Sequence, residues 1–265
     1  MFALLRRPGR ALSVVCALAV AAPLYAQTAT APQAAAKPAA DLPSAESIVE
    51  RHIEASGGKK ALEGVNSIHM KGTMTVPANG MSGSIHLYAA RPNKMLVKTT
   101  IAGIGDSVEG FDGKTAWTNS PMTGPMLITG DQLKQRMNDA DFNTMLNPSS
   151  RYTAMKTIEK TTFDGKEVYK LSMTRKEGGE NDIDFYDVAT GLKAGSITSR
   201  ITPMGTIQST TTLSDYKKVG DIMQPMTMKQ SITGIDIVTT FDTVEFNKVD
   251  AAVFELPAEI KALIK

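Results

Sequence analysis

Residues 67–89 read SIHMKGTMTVPANGMSGSIHLYA, and the period of this stretch decides the fold class. Ile68, Met70, Met74 and Val76 alternate with His69, Lys71, Thr73 and Thr75, the period of two that gives a strand one apolar and one polar face. Pro77-Ala78-Asn79-Gly80 is a turn, after which Ile85 and Leu87 alternate with Ser84, His86 and Tyr88. The stretch predicts a hairpin. Just upstream the period is that of a helix. Ile48, Val49, His52 and Ile53 form an apolar stripe on a segment that Pro43-Ser44 opens and Gly57-Gly58 stops, because glycine accepts the left-handed conformation of a helix end. A second short helical stretch runs from Lys59 to Val65.

Downstream the strand period continues. Further strands are predicted at Lys94–Ile101, Ser107–Phe111, Thr115–Thr118, Met126–Ile128, Tyr152–Glu159 and Glu167–Thr174, then at Ile183–Asp187, Lys193–Ile201, Thr206–Tyr216, Met223–Ser231 and Asp236–Phe246. Turn signals separate them at Asp112-Gly113, Asp164-Gly165, Gly178-Gly179, Thr190-Gly191 and Val219-Gly220. One helix interrupts the series. Gln132–Leu146 places Leu133, Met137, Phe142 and Met145 on an apolar side, with a break near Asp139 and an end at Pro148. Val249–Phe254 and a helical tail, Ala258–Ile264, close the chain. The class is mainly β (α+β), a large antiparallel sheet curled into a barrel or half-barrel.

The N-terminus bears on location. Arg6, Arg7 and Arg10 precede an apolar run from Ala11 to Ala22, and Leu24-Tyr25-Ala26 offers a cut before Gln27. That order predicts a cleaved secretory signal over residues 1–26 and a periplasmic protein, the apolar run being too short to span a bilayer. Residues 27–42, rich in Ala, Pro and Thr, read as a flexible linker to a domain at 43–265. Loss of the signal lowers the basic residues from 29 to 26 against 27 acidic ones, a net charge of about −1, so no basic surface for nucleic acid is expected. The single cysteine, Cys16, leaves with the signal, which excludes disulfides, a cysteine nucleophile and thiolate metal sites.

Local motifs for chemistry are missing. His52 reads as a helix-surface or core-edge residue. His69 and His86 sit near each other on the polar faces of paired strands, without a carboxylate at metal-site spacing, and read as solvated strand histidines. Asp182, Asp184 and Asp187 do not follow the calcium-loop pattern, since Tyr186 and Asp187 fill its fifth and sixth places; polar faces and turns account for them. No G-x-S-x-G, H-E-x-x-H or S-x-x-K stretch occurs. No enzyme activity, metal or cofactor is expected, although a catalytic set assembled from distant residues would leave no local motif.

The apolar residues point elsewhere. Fourteen of the fifteen methionines remain without Met1, and Met70, Met74, Met81, Met95, Met173, Met223, Met226 and Met228 fall on strand faces that read as inward. Methionine repacks readily against guests of variable shape, and it also serves as ordinary core filler. The candidate ligand-lining set is Met70, Met74, Ile85, Leu87, Met95, Val97, Met173, Met226 and Met228 on the sheet, under Leu133, Met137 and Met145 on the helix.

Five stretches together resemble the LolA/LolB-like superfamily of periplasmic lipoprotein carriers, particularly the bacterial outer-membrane lipoprotein-sorting proteins. IVERHIEASGGKKALEGV at Ile48–Val65 looks like that family's opening helices, SIHMKG at Ser67–Gly72 like its first strand, and ARPNK at Ala90–Lys94 like the turn into its third. DFYDVATGL at Asp184–Leu192 resembles its late hairpin, and FELP at Phe254–Pro257 its chain end. The resemblance implies an unclosed half-barrel of about eleven strands, with helices covering the concave apolar side. It also implies a monomeric carrier of lipid or lipoprotein acyl chains towards the outer membrane, with transport partners in the inner or outer membrane. An envelope sensor that captures a protein partner is the alternative on the same fold, and a hydrolase, which would need an acid, a base and a nucleophile in one cleft, is the third reading.

Overall fold

The computed structural model describes residues 42–176, 181–202 and 205–264. The leader and most of the linker read from the first 41 residues lie outside the described residues, as does the turn at Gly178-Gly179. Thirteen strands form one antiparallel sheet: β1 (Ser67–Val76), β2 (Met81–Ala90), β3 (Lys94–Ile101), β4 (Gly105–Phe111), β5 (Ala116–Ser120), β6 (Gly124–Ile128), β7 (Tyr152–Phe163), β8 (Lys166–Arg175), β9 (Asp182–Asp187), β10 (Lys193–Thr202), β11 (Gly205–Val219), β12 (Ile222–Ile232) and β13 (Ile235–Phe246). Each matches a strand expected from the period-two pattern, and the total exceeds by two the number the resemblance implies.

The order across the sheet is β6-β5-β4-β3-β2-β1-β13-β12-β11-β10-β9-β8-β7. Two meanders, β1–β6 and β7–β13, therefore join at a seam between β1 and β13, while β6 and β7 are left as the two edges. The sheet is an open half-barrel. At the seam Ile68 lies opposite Phe246 and Met70 opposite Val244, with a bulge between Lys71 and Gly72. Gly72 is required there, because a Cβ would stand 2.1 Å from the Thr240 carbonyl oxygen.

Among the described residues four α-helices accompany the sheet: α1 (Ala45–Ala55), α2 (Lys59–Glu63), α3 (Gly130–Asp139) and α4 (Ala258–Lys261). Ser44 caps α1, its hydroxyl accepting from Ser47 N at 3.1 Å. The stripe Ala45, Ile48 and Val49 then packs on Tyr152, Leu171, Met173 and Tyr186 of β7–β9. At the end of α1 the main chain turns through Gly57 at φ 126°, so close to β11–β12 that a Cβ would stand 2.2 Å from the Asp221 carbonyl oxygen. Leu62 of α2, with Val65, meets Ile222, Phe246, Phe142 and Leu146. Leu133 and Ala140, on and just beyond α3, pack with Met95, Phe111, Ala116 and Ile128.

These three helices share the inner face. The C-terminal segment takes the other side: Phe254 and Ile260 pack on Leu96 and Trp117. Leu96 follows Met95 in β3, and successive strand side chains point to opposite faces. The tail thus supplies an outer core for β2–β6.

The helix expected at Gln132–Leu146 is a correction. It spans Gly130–Asp139, and Phe142 and Met145 lie in the turns that follow. The chain departs because Phe142 N–H donates to the Pro92 carbonyl at 3.1 Å instead of continuing the helical ladder. What α3 does instead is bridge the two meanders. Arg136 pairs with Glu109 of β4, and Asp139 pairs with Arg200 of β10. The Gln135 carboxamide donates to Ser199 O at 2.9 Å and accepts from Ile201 N at 3.0 Å. Among the described residues β9 pairs with β10 only as far as Ile197, and the Gln135 carboxamide meets the main chain of β10 beyond that point.

Candidate functional site

Two adjoining cavities lie on the inner face, between the sheet and the segments above it. The larger holds about 290 Å³. Its floor is Ile68 of β1, Phe246 of β13, Ile222, Met223 and Gln224 of β12, and Leu213 and Tyr216 of β11. Its roof is His52 and Ser56 from α1 and its cap, Leu62 from α2, Val65, and the post-α3 residues Phe142, Met145 and Leu146. The smaller holds about 160 Å³ and is lined by Val49, Thr144, Pro148, Arg151, Tyr152, Met173, Asp184 and Tyr186, among others. His52, Met145 and Lys193 line both.

The roof is tied down by Arg91, also on the rim of the larger cavity. Its Nε donates to Val65 O at 2.7 Å and an Nη to Leu62 O at 3.4 Å, a carbonyl that also accepts from Val65 N at 3.2 Å. Its other Nη donates to Asn143, and the guanidinium sits 5.0 Å from the Phe142 ring centroid. One side chain thereby joins β2's end, α2 and the segment after α3.

The smaller cavity borders an ion-pair network. Asp182, 1% exposed, accepts from Tyr152 OH at 2.9 Å and Arg175 Nε at 3.0 Å, and pairs with Arg151 at 3.3 Å. Arg151 also reaches Asp139 at 3.2 Å. Asp184 pairs with Lys193 at 2.8 Å and accepts from Tyr186 OH at 3.2 Å. Burial and these carboxylates hold the Tyr152 and Tyr186 phenols well above their usual range, so both remain protonated donors. The expectation that Asp182 and Asp184 sit on polar faces is corrected, since both are buried on the inner face; Asp187 alone does turn work, accepting from Ala189 N at 2.8 Å and Thr190 N at 2.9 Å. His52 is buried as well. Desolvation, then the Lys193 charge, lowers its pKa to about 4, so its imidazole is neutral at pH 7.

The predicted lining residues divide by location. Met145 lines both cavities and Met173 the smaller. Met70, Ile85 and Met226 pack with Phe241, and Met74, Leu87 and Val97 lie against that cluster. Met95 and Leu133 belong to the cluster under α3. Met228 is half-buried, opposite Leu213 and Thr239, and Met137 is 46% exposed. Sequence reasoning missed His52, Phe142, Leu213, Tyr216 and Phe246. Alternation did signal Phe246 and Leu213 as apolar strand positions; nothing local marked them as facing empty space.

His69 and His86 do meet, on the outer face. His69 Nε2 lies 3.1 Å from His86 Nδ1 with ring centroids 5.3 Å apart, so the nearly parallel rings stand edge to edge and one nitrogen donates to the other. Tyr88 stacks on His69 at 4.3 Å. Among the described residues no group of three or more His, Cys, Asp or Glu is placed to hold a metal.

An open antiparallel half-barrel with helices across one face is the architecture of LolA-like proteins, and solved structures share it. A LolA superfamily protein from Nitrosomonas europaea matches with a TM-score of 0.55 at 13% identity, over 81% of this chain and 99% of that one. A DUF1329 family protein from Desulfovibrio piger matches at 0.54 and 12% identity, over 79% and 96%. A Vibrio parahaemolyticus domain described as part of an outer membrane lipoprotein-sorting protein matches at 0.52 and 14%, over 79% and 97%. No protein-family model matches the sequence, and no curated protein matches it. The chain has the LolA-like fold.

Proposed function

We propose that this chain is a periplasmic binding protein that takes an acyl chain of a lipid or lipoprotein into the cavity beneath α1, α2 and the segment after α3, and carries it towards the outer membrane. The observation behind this reading is the larger cavity, about 290 Å³ with a mostly apolar lining whose polar members are His52, Ser56, Arg91, Lys193, Tyr216 and Gln224. Each methylene moved from water into such a space contributes about 0.8 kcal/mol, so a carrier needs apolar area under a cover and no reactive group. The methionine-bearing clusters around Met70 and Met95 would add lining surface if α3 and the roof lift for a larger guest. On this reading the leader is removed, the folded domain begins near residue 43 and works as a monomer, and membrane-bound donors or acceptors of the lipid are its partners.

Native mass spectrometry of protein isolated from membranes tests this, with retained lipid expected on the wild type. Met223→Trp, which fills the cavity from β12, is expected to lose that lipid while keeping its strand signal in circular dichroism. A wild type that retains no lipid and binds no added apolar chain would refute the proposal.

A further inference from the structure

The two cavities differ in chemistry although three side chains line both. The larger is greasy, whereas the smaller is bordered by Arg151, Lys193, Asp184 and two tyrosines. The ion pairs around the smaller one do not balance. Arg151, Arg175, Arg200 and Lys193 share three carboxylates, Asp139, Asp182 and Asp184. Neither tyrosine adds negative charge, because both phenols stay protonated, and His52 is neutral. Asp184 does not repel an anion freely, since one oxygen is taken by Lys193 and the other by Tyr186. Arg151 is left short. Its side chain is 14% exposed, one Nη is divided between Asp139 and Asp182, and its buried Nε has no acceptor among the described residues. A guanidinium carries five N–H donors in a fixed fork, and a buried donor without an acceptor is unfavourable unless something fills it.

We propose that the guest is a single-headed anionic amphiphile, its carboxylate or phosphate seated in the smaller cavity against Arg151 and Lys193 and its hydrocarbon tail running past His52 and Met145 into the larger one. This rests on the acyl-binding reading above and narrows it to a charge and an orientation. Arg151 and Lys193 both line that cavity, and Lys193 turns part of its ammonium from Asp184 to the head group. The neutral imidazole of His52 marks the boundary without charge of its own.

The test compares three probes of one chain length, decanoate, decyl phosphate and decanol, by titration calorimetry at pH 7 below micelle formation. One or both anions are expected to bind roughly tenfold tighter than the alcohol, the difference a charge-assisted hydrogen bond typically makes. Whichever anion leads identifies the head as carboxylate or phosphate. The charge-neutral pair Lys193→Met with Asp184→Asn, and separately Arg151→Gln, should reduce that preference while decanol binding persists. Decanol binding the wild type as tightly as both anions overturns this inference and leaves the acyl-binding reading intact, as does a full anion preference retained by both variants. Failure of all three probes to bind overturns the cavity reading and this one with it.

Discussion

His52 carries the clearest consequence of a single buried group. Its pKa is about 4 in the fold, against 6.5 for a free histidine, chiefly because burial removes the water that would solvate its charge. Between pH 6.5 and 4 the unfolded chain therefore binds a proton that the folded chain refuses. The stability that the neutral ring permits is complete above that window, and roughly 3 kcal/mol of it disappears as the pH falls through it. Melting temperatures of the wild type should drop steeply from pH 6.5 to 4. His52→Asn, which can still accept from Ser56, should show a shallower fall. Parallel curves for the two proteins would mean that another group drives the acid loss.

At the scale of elements, α3 depends on a few polar anchors more than on apolar burial. None of its residues is fully buried, and its ties are Arg136 to Glu109, Asp139 to two arginines, and Gln135 to the second half of β10. Gln135→Leu leaves Ser199 O and Ile201 N without that partner. The expected cost is about 1–3 kcal/mol, read locally: amide exchange should accelerate in α3 and in the second half of β10 while β1 and β13 stay protected. Uniform acceleration across the sheet would contradict this. The same element shows what the sequence could tell. All thirteen strands were legible, because alternation such as Ile68, Met70, Met74 against His69, Lys71, Thr73 depends only on neighbours in the chain. The proximity of His69 and His86 was legible for the same reason. The end of α3 was not, since it depends on a hydrogen bond from Phe142 to Pro92, fifty residues upstream. Nor was the cavity. Period two says which way Met70 and Leu213 point, whereas packing by Phe241 against one and open space beside the other are facts of the assembled fold. Asp182 and Asp184 were misjudged likewise, their arginine and lysine partners coming from other strands and loops.

For the whole molecule the seam between β1 and β13 matters most. The two meanders join along this seam and are bridged by α3, so they should melt as one unit if the seam is sound. Gly72→Val forces a side chain into the Thr240 carbonyl and is expected to cost about 3 kcal/mol or more. The fully buried Trp117, the only tryptophan, lies in the first meander and reports on it by fluorescence, while far-ultraviolet circular dichroism reports on all strands. In the wild type the two signals should coincide during urea unfolding. In Gly72→Val they should both shift to lower urea, and a wild type whose signals separate would show that the meanders are independent.

Because Phe246 has to find Ile68 across almost the whole length of the domain, closure is a late event in folding. During synthesis the earliest strand waits with a bare hydrogen-bonding rim until the last one emerges. A chain cut short before β13 would keep two such rims, on β1 and β12, and strand edges of that kind recruit other chains. Truncated products of this protein should therefore aggregate where the intact chain folds alone.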